Sequence, residues 1–280
     1  MKNSLYIIIS FFSLVFFNSC EEAIDYNLGS NESQVVIDAF VSNSRDTQFI
    51  NISKSIPYLN NGNPTNYDVD SVFVIDSTIS KRYIFSKVRS GKYAYLPGND
   101  TFISGHKFYL LVFDNSNIYA SYCKMGRVGT IDSLTYREET FGNVKTKVVE
   151  MSAKDPVGKG DFTWIKQYRN DSLQTGSIST AVDNTFSPSE QGDGDAYIVP
   201  LRTFLGYRKN DKATIEIYSL TAESYYYFKQ IEVQLNNTAG LFAQPIANVD
   251  GNIVNVKNPK KKILGFFNVG ASVKKSILIP

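Results

Sequence analysis

Cysteine and histidine are scarce in this sequence. Its 280 residues include 2 Cys, at positions 20 and 123, and 1 His, at position 106. The usual zinc sites draw most of their ligands from these two residue types, so the sequence excludes them. A nucleophile and base could come from Cys123 and His106, but no pattern places an orienting carboxylate beside them. The sequence contains no P-loop, dinucleotide fingerprint or nucleophile elbow. We therefore expect no enzyme activity and no cofactor.

An excess of charge of one sign is also missing. Lys and Arg together number 29, Asp and Glu 27, and the formal net charge is +2. Binding to nucleic acid relies on clustered positive charge, and such a balance gives no electrostatic reason for it. The composition therefore predicts that nucleic acid is not a partner.

No apolar run reaches the roughly 20 residues that a spanning helix needs. The longest, Leu5–Phe17, has the length of a signal-peptide core and follows the positive Lys2. Ser19 then precedes Cys20, as small residues precede the cysteine of a lipoprotein signal. We expect residues 1–19 to be a lipoprotein signal peptide. An ordinary secretory signal with a chance cysteine is the alternative.

Cys20 is the predicted lipidation site. Its thiol would carry a diacylglyceryl group, and the amine freed by cleavage would take a further acyl chain such as palmitate. Stable anchoring needs about two chains, which this modification supplies. The predicted partner of the mature N-terminus is therefore a membrane.

Residues 20–34 form the predicted lipidated, flexible tether, because the segment is polar and contains Gly29 and several Ser and Asn residues. Its first part is acidic, with Glu21, Glu22 and Asp25. Acidic residues after the cysteine direct some Gram-negative lipoproteins to the cell surface. A plain solvated linker explains them equally well, so the sequence leaves the periplasmic and surface sides open, with the surface side preferred.

What the chain has in abundance are aromatic residues, with 18 Tyr and 19 Phe, which favour strands. Short alternating runs separated by turn signals predict a mainly β fold. We expect an N-terminal Ig-like β-sandwich over residues 35–126 and a second β-rich domain over 127–280. The run 106–113 is apolar on both faces, which predicts a central strand.

One amphipathic helix is expected near 221–236, within the second domain. Thr221 is a suitable N-cap, and Glu223 lies in the first turn, where negative charge suits the helix dipole. Tyr225, Phe228, Ile231 and Leu235 recur at helical spacing and predict the packing face.

Two charged stretches are candidate binding sites. Glu190, Asp193 and Asp195 lie in a Gly-rich stretch, and clustered carboxylates are the ligands that Ca²⁺ prefers. The spacing of an EF-hand fails, and a solvated loop is the preferred interpretation, so no metal is expected. Lys257 and the run 260–262 predict a solvated turn, with anionic lipid headgroups or an acidic partner as the alternative.

Four serines follow an aspartate in short sequences similar to the Asp-Ser/Thr-aliphatic sites that some Gram-negative bacteria glycosylate after export. The predicted O-glycosylation sites are Ser71, Ser77, Ser133 and Ser172. Thr78 fits the aliphatic position after Ser77 poorly. The motif is short and matches by chance in many sequences.

The order of several fragments resembles the lipoprotein family of the domain of unknown function numbered 4249. These fragments lie at 35–39, 105–110, 131–134, 155–156, 162–164, 220–225, 244–246, 251–253 and 264–267. Asp38 and Phe162 stand where Glu and Tyr are more familiar in that family. The family has no established active site to transfer.

What the resemblance implies is an outer-membrane lipoprotein, because such proteins are often encoded beside TonB-dependent receptors that import nutrients. We therefore expect a cell-envelope accessory or binding subunit of such an uptake system, with the receptor as its partner. The alternative is a structural or adhesive surface module with no transport role.

Overall fold

The structure is a computed structural model that describes residues 33–56, 62–115, 117–141, 143–174, 179–182, 193–201, 206–236 and 249–280. Residues Ser33–Pro280 form one compact unit. Within the described ranges, no helix has both the length and the apolar character needed to cross a membrane.

The described residues form eighteen strands and one helix, which confirms the predicted mainly β class. In chain order, the strands before the helix are β1 (Val35–Ser42), β2 (Gln48–Lys54), β3 (Thr65–Asn66), β4 (Ser71–Asp76), β5 (Lys81–Arg89), β6 (Lys92–Tyr95), β7 (Lys107–Asp114), β8 (Asn117–Lys124), β9 (Thr130–Phe141), β10 (Val144–Lys154), β11 (Phe162–Arg169), β12 (Ser172–Leu173), β13 (Ser179–Val182), β14 (Ala196–Leu201) and β15 (Lys212–Leu220). Helix α1 (Ala222–Asn236) follows, and then β16 (Val254–Asn255), β17 (Leu264–Gly270) and β18 (Ser272–Leu278).

A large curled sheet of ten strands dominates the molecule. Its strand order is β16-β8-β7-β4-β5-β6-β2-β1-β17, and β3 pairs with β2 off this path. The structure does not show the expected Ig-like sandwich over residues 35–126. The reason is that β5 pairs with β4 through its first half and with β6 through its second half. Strands that a sandwich would divide between two sheets therefore form one continuous hydrogen-bonded path.

The inner face of the curled sheet holds the main core. In β1, Val35, Ile37, Ala39 and Val41 are buried, and in β7 the buried side chains include Phe108, Leu110 and Val112. Side chains on a strand alternate between its two faces, so every second residue points inward. The strand β7 is central, as predicted. Its inner face is buried, whereas the side chains of its outer face are half-buried or exposed. Tyr109, for example, is 42% exposed.

The large sheet is completed by residues from the C-terminal half of the chain. Strand β17 pairs in parallel with β1, from Val36 opposite Leu264 to Ser42 opposite Gly270. Gly265 has a φ of 91°, and a Cβ there would lie 2.1 Å from the Ile37 carbonyl oxygen, so only glycine permits this approach. Strand β16 joins the opposite end through β8. The proposed division of the body at residue 126 stays a prediction from the sequence.

Two smaller sheets enclose a second core. One has the order β14-β10-β9, and the other has the order β12-β11-β15-β18, with β13 paired to β11. Buried side chains from both sheets pack together, among them Val149 and Met151 of β10 and Ile215 and Ile217 of β15.

The helix predicted near 221–236 is present as α1, with the predicted N-cap Thr221 and the predicted acidic residue Glu223 in its first turn. The Ser224 amide donates to Thr221 Oγ1 at 3.2 Å, and Glu223 lies in the first turn. Phe228 is buried against the aromatic residues of β11 and β15. The predicted packing face fails at its last member, because Leu235 is 73% exposed.

Asn268 of β17 joins the curled sheet to β15 and to the start of α1. Its side-chain amide donates to the Ser219 carbonyl (3.1 Å) and to the Tyr218 hydroxyl (3.3 Å). Its side-chain oxygen accepts from the Thr221 amide (3.0 Å) and the Ser224 hydroxyl (2.8 Å). Asn268 is fully buried, so its side chain supplies these groups with the hydrogen bonds that water would otherwise provide.

We expect Asn268→Ala to lower the free energy of unfolding by about 3 kcal/mol, because several buried polar groups lose their partner at once. Urea denaturation followed by circular dichroism measures this change. Asn63→Ala, in an exposed loop, is the matched control and should change stability by less than about 0.5 kcal/mol. Equal effects of the two substitutions would contradict the role given to Asn268.

Candidate functional site

Two of the sites predicted from sequence fall at least partly outside the described residues. Cys20 lies outside them, and so does Glu190 of the calcium candidate. The described Asp193 accepts a hydrogen bond from the Gly158 amide (2.5 Å), and it contributes to raising the pKa of the Arg127 guanidinium, after Asp161 and Asp155. In the described ranges, no group of three or more His, Cys, Asp and Glu side chains is placed to hold a metal ion.

The four predicted glycosylation serines are all described. Ser77, Ser133 and Ser172 are exposed, and Ser71 at the start of β4 is half-buried. The Ser77 hydroxyl donates to the Lys107 carbonyl (3.1 Å). Glycosylation of these serines stays a prediction.

His106 and Cys123 have separate partners. His106 Nδ1 lies 2.6 Å from Asp76 Oδ2, an acid that the sequence pattern did not reveal. Cys123 is buried in the main core, where its sulfur accepts a hydrogen bond from the Val269 amide (3.1 Å). Burial raises the pKa of the Cys123 thiol to about 12. The thiol is therefore held in its protonated form, as a buried structural cysteine should be.

The lysine stretch predicted from the sequence is exposed, and the three consecutive tyrosines of α1, residues 225–227, are exposed to different degrees. Lys257 and the run 260–262 are exposed, and Lys262 pairs with Asp250 at 3.1 Å. The three consecutive tyrosines of α1 diverge, as helical geometry predicts. Tyr226 is 59% exposed, whereas the Tyr227 ring lies 4.8 Å from the Phe266 ring.

A cluster of charged side chains consists of Asp38, Lys166 and Glu216, which we call the Asp38 cluster. Asp38 lies on the outer face of β1, opposite Asn51 of β2. Lys166 of β11 lies opposite Glu216 of β15, and the two side chains are 4.0 Å apart. The cluster therefore joins the outer face of the curled sheet to one face of the five-stranded sheet.

Lys166 is held between aromatic rings and carboxylates. Its ammonium nitrogen lies 4.3 Å from the centroid of the Trp164 ring and 4.4 Å from that of Tyr218. Burial lowers the pKa of Lys166, and this effect outweighs the opposing attraction of Glu216 and Asp38. Glu216 also accepts a hydrogen bond from the Tyr168 hydroxyl (2.9 Å).

Asp38 shows the opposite perturbation. Its side chain keeps contact with solvent, yet the surrounding protein desolvates it and raises its pKa above 3.8. A hydrogen bond with Asn51 and the charge of Lys166 act against this rise. The Asp38 carboxylate is thus exposed to solvent near Lys166, where a small polar group can reach it.

Aromatic side chains surround the Asp38 cluster. The Trp164 ring lies 4.7 Å from Phe228 of α1 and 5.9 Å from Phe40 of β1, and Phe40 lies 6.2 Å from Phe266 of β17. These rings exclude water from one side of the charges. In such surroundings, hydrogen bonds to charged groups are stronger than in water.

This arrangement places a hydrogen-bond acceptor and a donor of opposite charge near each other, which suits the binding of a polar ligand. Perturbed pKa values caused by burial and a specific charge partner are typical of functional sites. The sequence contained two signals for it. Asp38 interrupts the apolar run 35–41. Lys166 lies between Trp164 and Tyr168 on the same face of one strand.

We expect Lys166→Met to raise the pKa of Asp38 further, because Lys166 is one of the two groups that lower it. Titration of the Asp38 carboxyl by ¹³C NMR measures the change. Lys212→Met is the matched control, since Lys212 pairs with the exposed Asp171 at 3.0 Å, and it should leave the Asp38 titration unchanged. A titration of Asp38 that is identical in both variants would contradict the cluster.

The stability of the Asp38→Asn variant should depend on pH with a defined sign. Folding raises the pKa of Asp38. The stability that the Asp38 carboxyl contributes is therefore present below about pH 3.8 and is lost as the pH rises through the pKa of Asp38 in the folded chain. Relative to the unmodified chain, Asp38→Asn should therefore gain stability across that window. Unfolding in urea at a series of pH values measures the gain.

Asp46→Asn provides a control of opposite sign. Its hydrogen bond with Lys274 lowers the pKa of Asp46, so the stability that Asp46 contributes is present above 3.8 and is lost as the pH falls. Asp46→Asn should accordingly be the less stable chain above that pH. The same sign of pH dependence in both variants would refute the assignment.

Comparison with known proteins identifies the family. A family model described as "Domain of unknown function (DUF4249)" matches residues 21–276. No curated protein matches the chain. The match confirms the resemblance seen in the sequence fragments, and it covers nearly all of the described body: the chain belongs to the DUF4249 family.

Proposed function

We propose that the protein is a cell-envelope lipoprotein, anchored at the outer membrane through Cys20, that binds a ligand as the accessory subunit of a TonB-dependent nutrient-uptake system. The single observation that carries the binding role is the Asp38 cluster, where the Lys166 ammonium lies between the Trp164 and Tyr218 rings, 4.0 Å from Glu216 and near the exposed Asp38. Membership of the family supports a location in the cell envelope, because the resemblance implies lipoproteins that are often encoded beside TonB-dependent receptors.

The chemistry of the cluster supports binding rather than turnover. Lys166 and Glu216 are directly opposite each other on paired strands, and the Glu216 carboxylate already accepts a hydrogen bond from Tyr168. Asp38 retains solvent contact and can accept hydrogen bonds from an incoming ligand. A polar ligand that bridges Asp38 and Lys166 would exchange water for charge-assisted hydrogen bonds.

The anchor follows from the sequence before the described body. Two or more acyl chains at Cys20 would hold the protein at the bilayer, and residues 20–34 would let the body reach a neighbouring receptor. The mass of the purified chain and the membrane fraction of Cys20→Ser test this part. An unacylated Cys20, or a Cys20→Ser chain that stays equally membrane-bound, would refute the anchor.

We expect an outer-membrane receptor of the TonB-dependent class to co-purify with the chain in mild detergent. Uptake of the nutrient that this receptor imports should fall in a strain that carries Asp38→Asn with Lys166→Met, while co-purification persists. The matched control is Asp171→Asn with Lys212→Met, which removes the same charges from an exposed ion pair. Recovery without a receptor, or normal uptake with the Asp38 and Lys166 substitutions, would overturn the proposal.

A further inference from the structure

The outer surface of the curled sheet is apolar across five neighbouring strands, β16, β8, β7, β4 and β5. One cross-strand row runs through Ile84, Phe73, Leu111, Ala120 and Val254, each opposite the next. Ile84 is 57% exposed and Val254 is 56% exposed. Strands spaced about 4.8 Å apart make this row about 19 Å long. We call this surface the outer apolar face.

Two further rows extend the outer apolar face along the strands. In the second row, Ile75 lies opposite Tyr109, and Tyr109 lies opposite Tyr122 with a ring distance of 5.2 Å. In the third row, Phe113 lies opposite Ile118. Apolar patches of this extent on a soluble body mark a surface that contacts another phase or molecule.

Cations border the outer apolar face. Lys107 and Lys124 are exposed and lie opposite each other where β7 begins and β8 ends. The Arg82 guanidinium lies 5.2 Å from the Phe73 ring. Beyond the edge strand β16, the exposed Val256 leads directly into Lys257 and the run 260–262.

Acidic side chains near this surface are engaged with the protein. Asp70, which precedes β4, accepts a hydrogen bond from the Asn115 amide (2.6 Å). Asp76 and Asp114, at the ends of β4 and β7, are buried. The exposed Asp250, which precedes β16, pairs with Lys262 at 3.1 Å. The exposed border cations, namely Arg82, Lys107, Lys124, Lys257 and the run 260–262, outnumber the exposed acids Asp70 and Asp250.

We propose that the outer apolar face rests on a lipid bilayer that contains anionic headgroups. Tyrosines and aliphatic side chains ringed by Lys and Arg match the composition of proteins that lie in the membrane interface. Lysine is depleted in protein–protein interfaces, so the lysine border favours lipid over a protein partner. Each lysine near an anionic surface adds to the attraction, and this attraction is screened by salt.

The test uses the full chain carrying Ile84→Cys, labelled with a polarity-sensitive fluorophore and returned from detergent to vesicles. Vesicles of phosphatidylcholine alone are compared with vesicles of phosphatidylcholine and phosphatidylglycerol in equal amounts. Quenching by brominated lipid reports direct contact with acyl chains. The chain without an added cysteine gives the background, and Ile198→Cys is the matched control, because Ile198 is 69% exposed on β14 of another sheet.

In anionic vesicles, we expect a blue shift and bromine quenching of the label at position 84, and neither for the label at position 198. Adding Lys107→Gln with Lys124→Gln should reduce the quenching severalfold. Lys145→Gln with Lys209→Gln, which removes the same charge from exposed positions elsewhere, should leave it unchanged. Equal quenching at positions 84 and 198 would overturn the proposal. A blue shift without bromine quenching would overturn it as well, since it indicates contact with protein.

Discussion

The buried hydrogen bonds around Asn268 and Tyr218 are the constraint on which the rest of the structure depends. The Tyr218 hydroxyl donates to the Val41 carbonyl of β1 (2.6 Å) and accepts from Asn268 of β17. A residue of the five-stranded sheet is thereby fixed against β17, an edge strand of the curled sheet, and against its neighbour β1. Asn268 also orders the first turn of α1 through Thr221 and Ser224. Because these groups are removed from water, each must be satisfied in one geometry, which fixes how the elements meet.

The Asp38 cluster is a consequence of that geometry. Asp38 comes from β1, three residues before the carbonyl that Tyr218 binds, and Lys166 lies over the Tyr218 ring. The polar contact that joins the two sheets therefore also brings the acid and the amine near each other. The aromatic residues around them, from β1, β11, β17 and α1, supply the low-dielectric surroundings that shift both pKa values.

The curled sheet uses its two faces differently. Its inner face is filled by the main core, and one stretch of its outer face is occupied by α1 and aromatic side chains near β1 and β17. The stretch formed by β16, β8, β7, β4 and β5 stays apolar and exposed. The Asp38 cluster therefore draws on β1 and on the five-stranded sheet, whereas the outer apolar face is formed by other strands of the curled sheet.

The sequence by itself determined what depends on local pattern. The apolar run 106–113 placed β7 to within one residue, and the cap at Thr221 with the spacing of Phe228 defined α1, because these signals act within one element. The apolar character of both faces of 106–113 was also visible, as was the unusual position of Asp38 in an apolar run.

The tertiary structure alone decided which strands pair, so the expected sandwich gave way to one curled sheet with β17 at one edge. It also decided that Asp76 meets His106 and that Lys166 approaches Asp38. Such contacts join residues far apart in the chain, and their partners are chosen by long-range packing and by the need to satisfy buried polar groups.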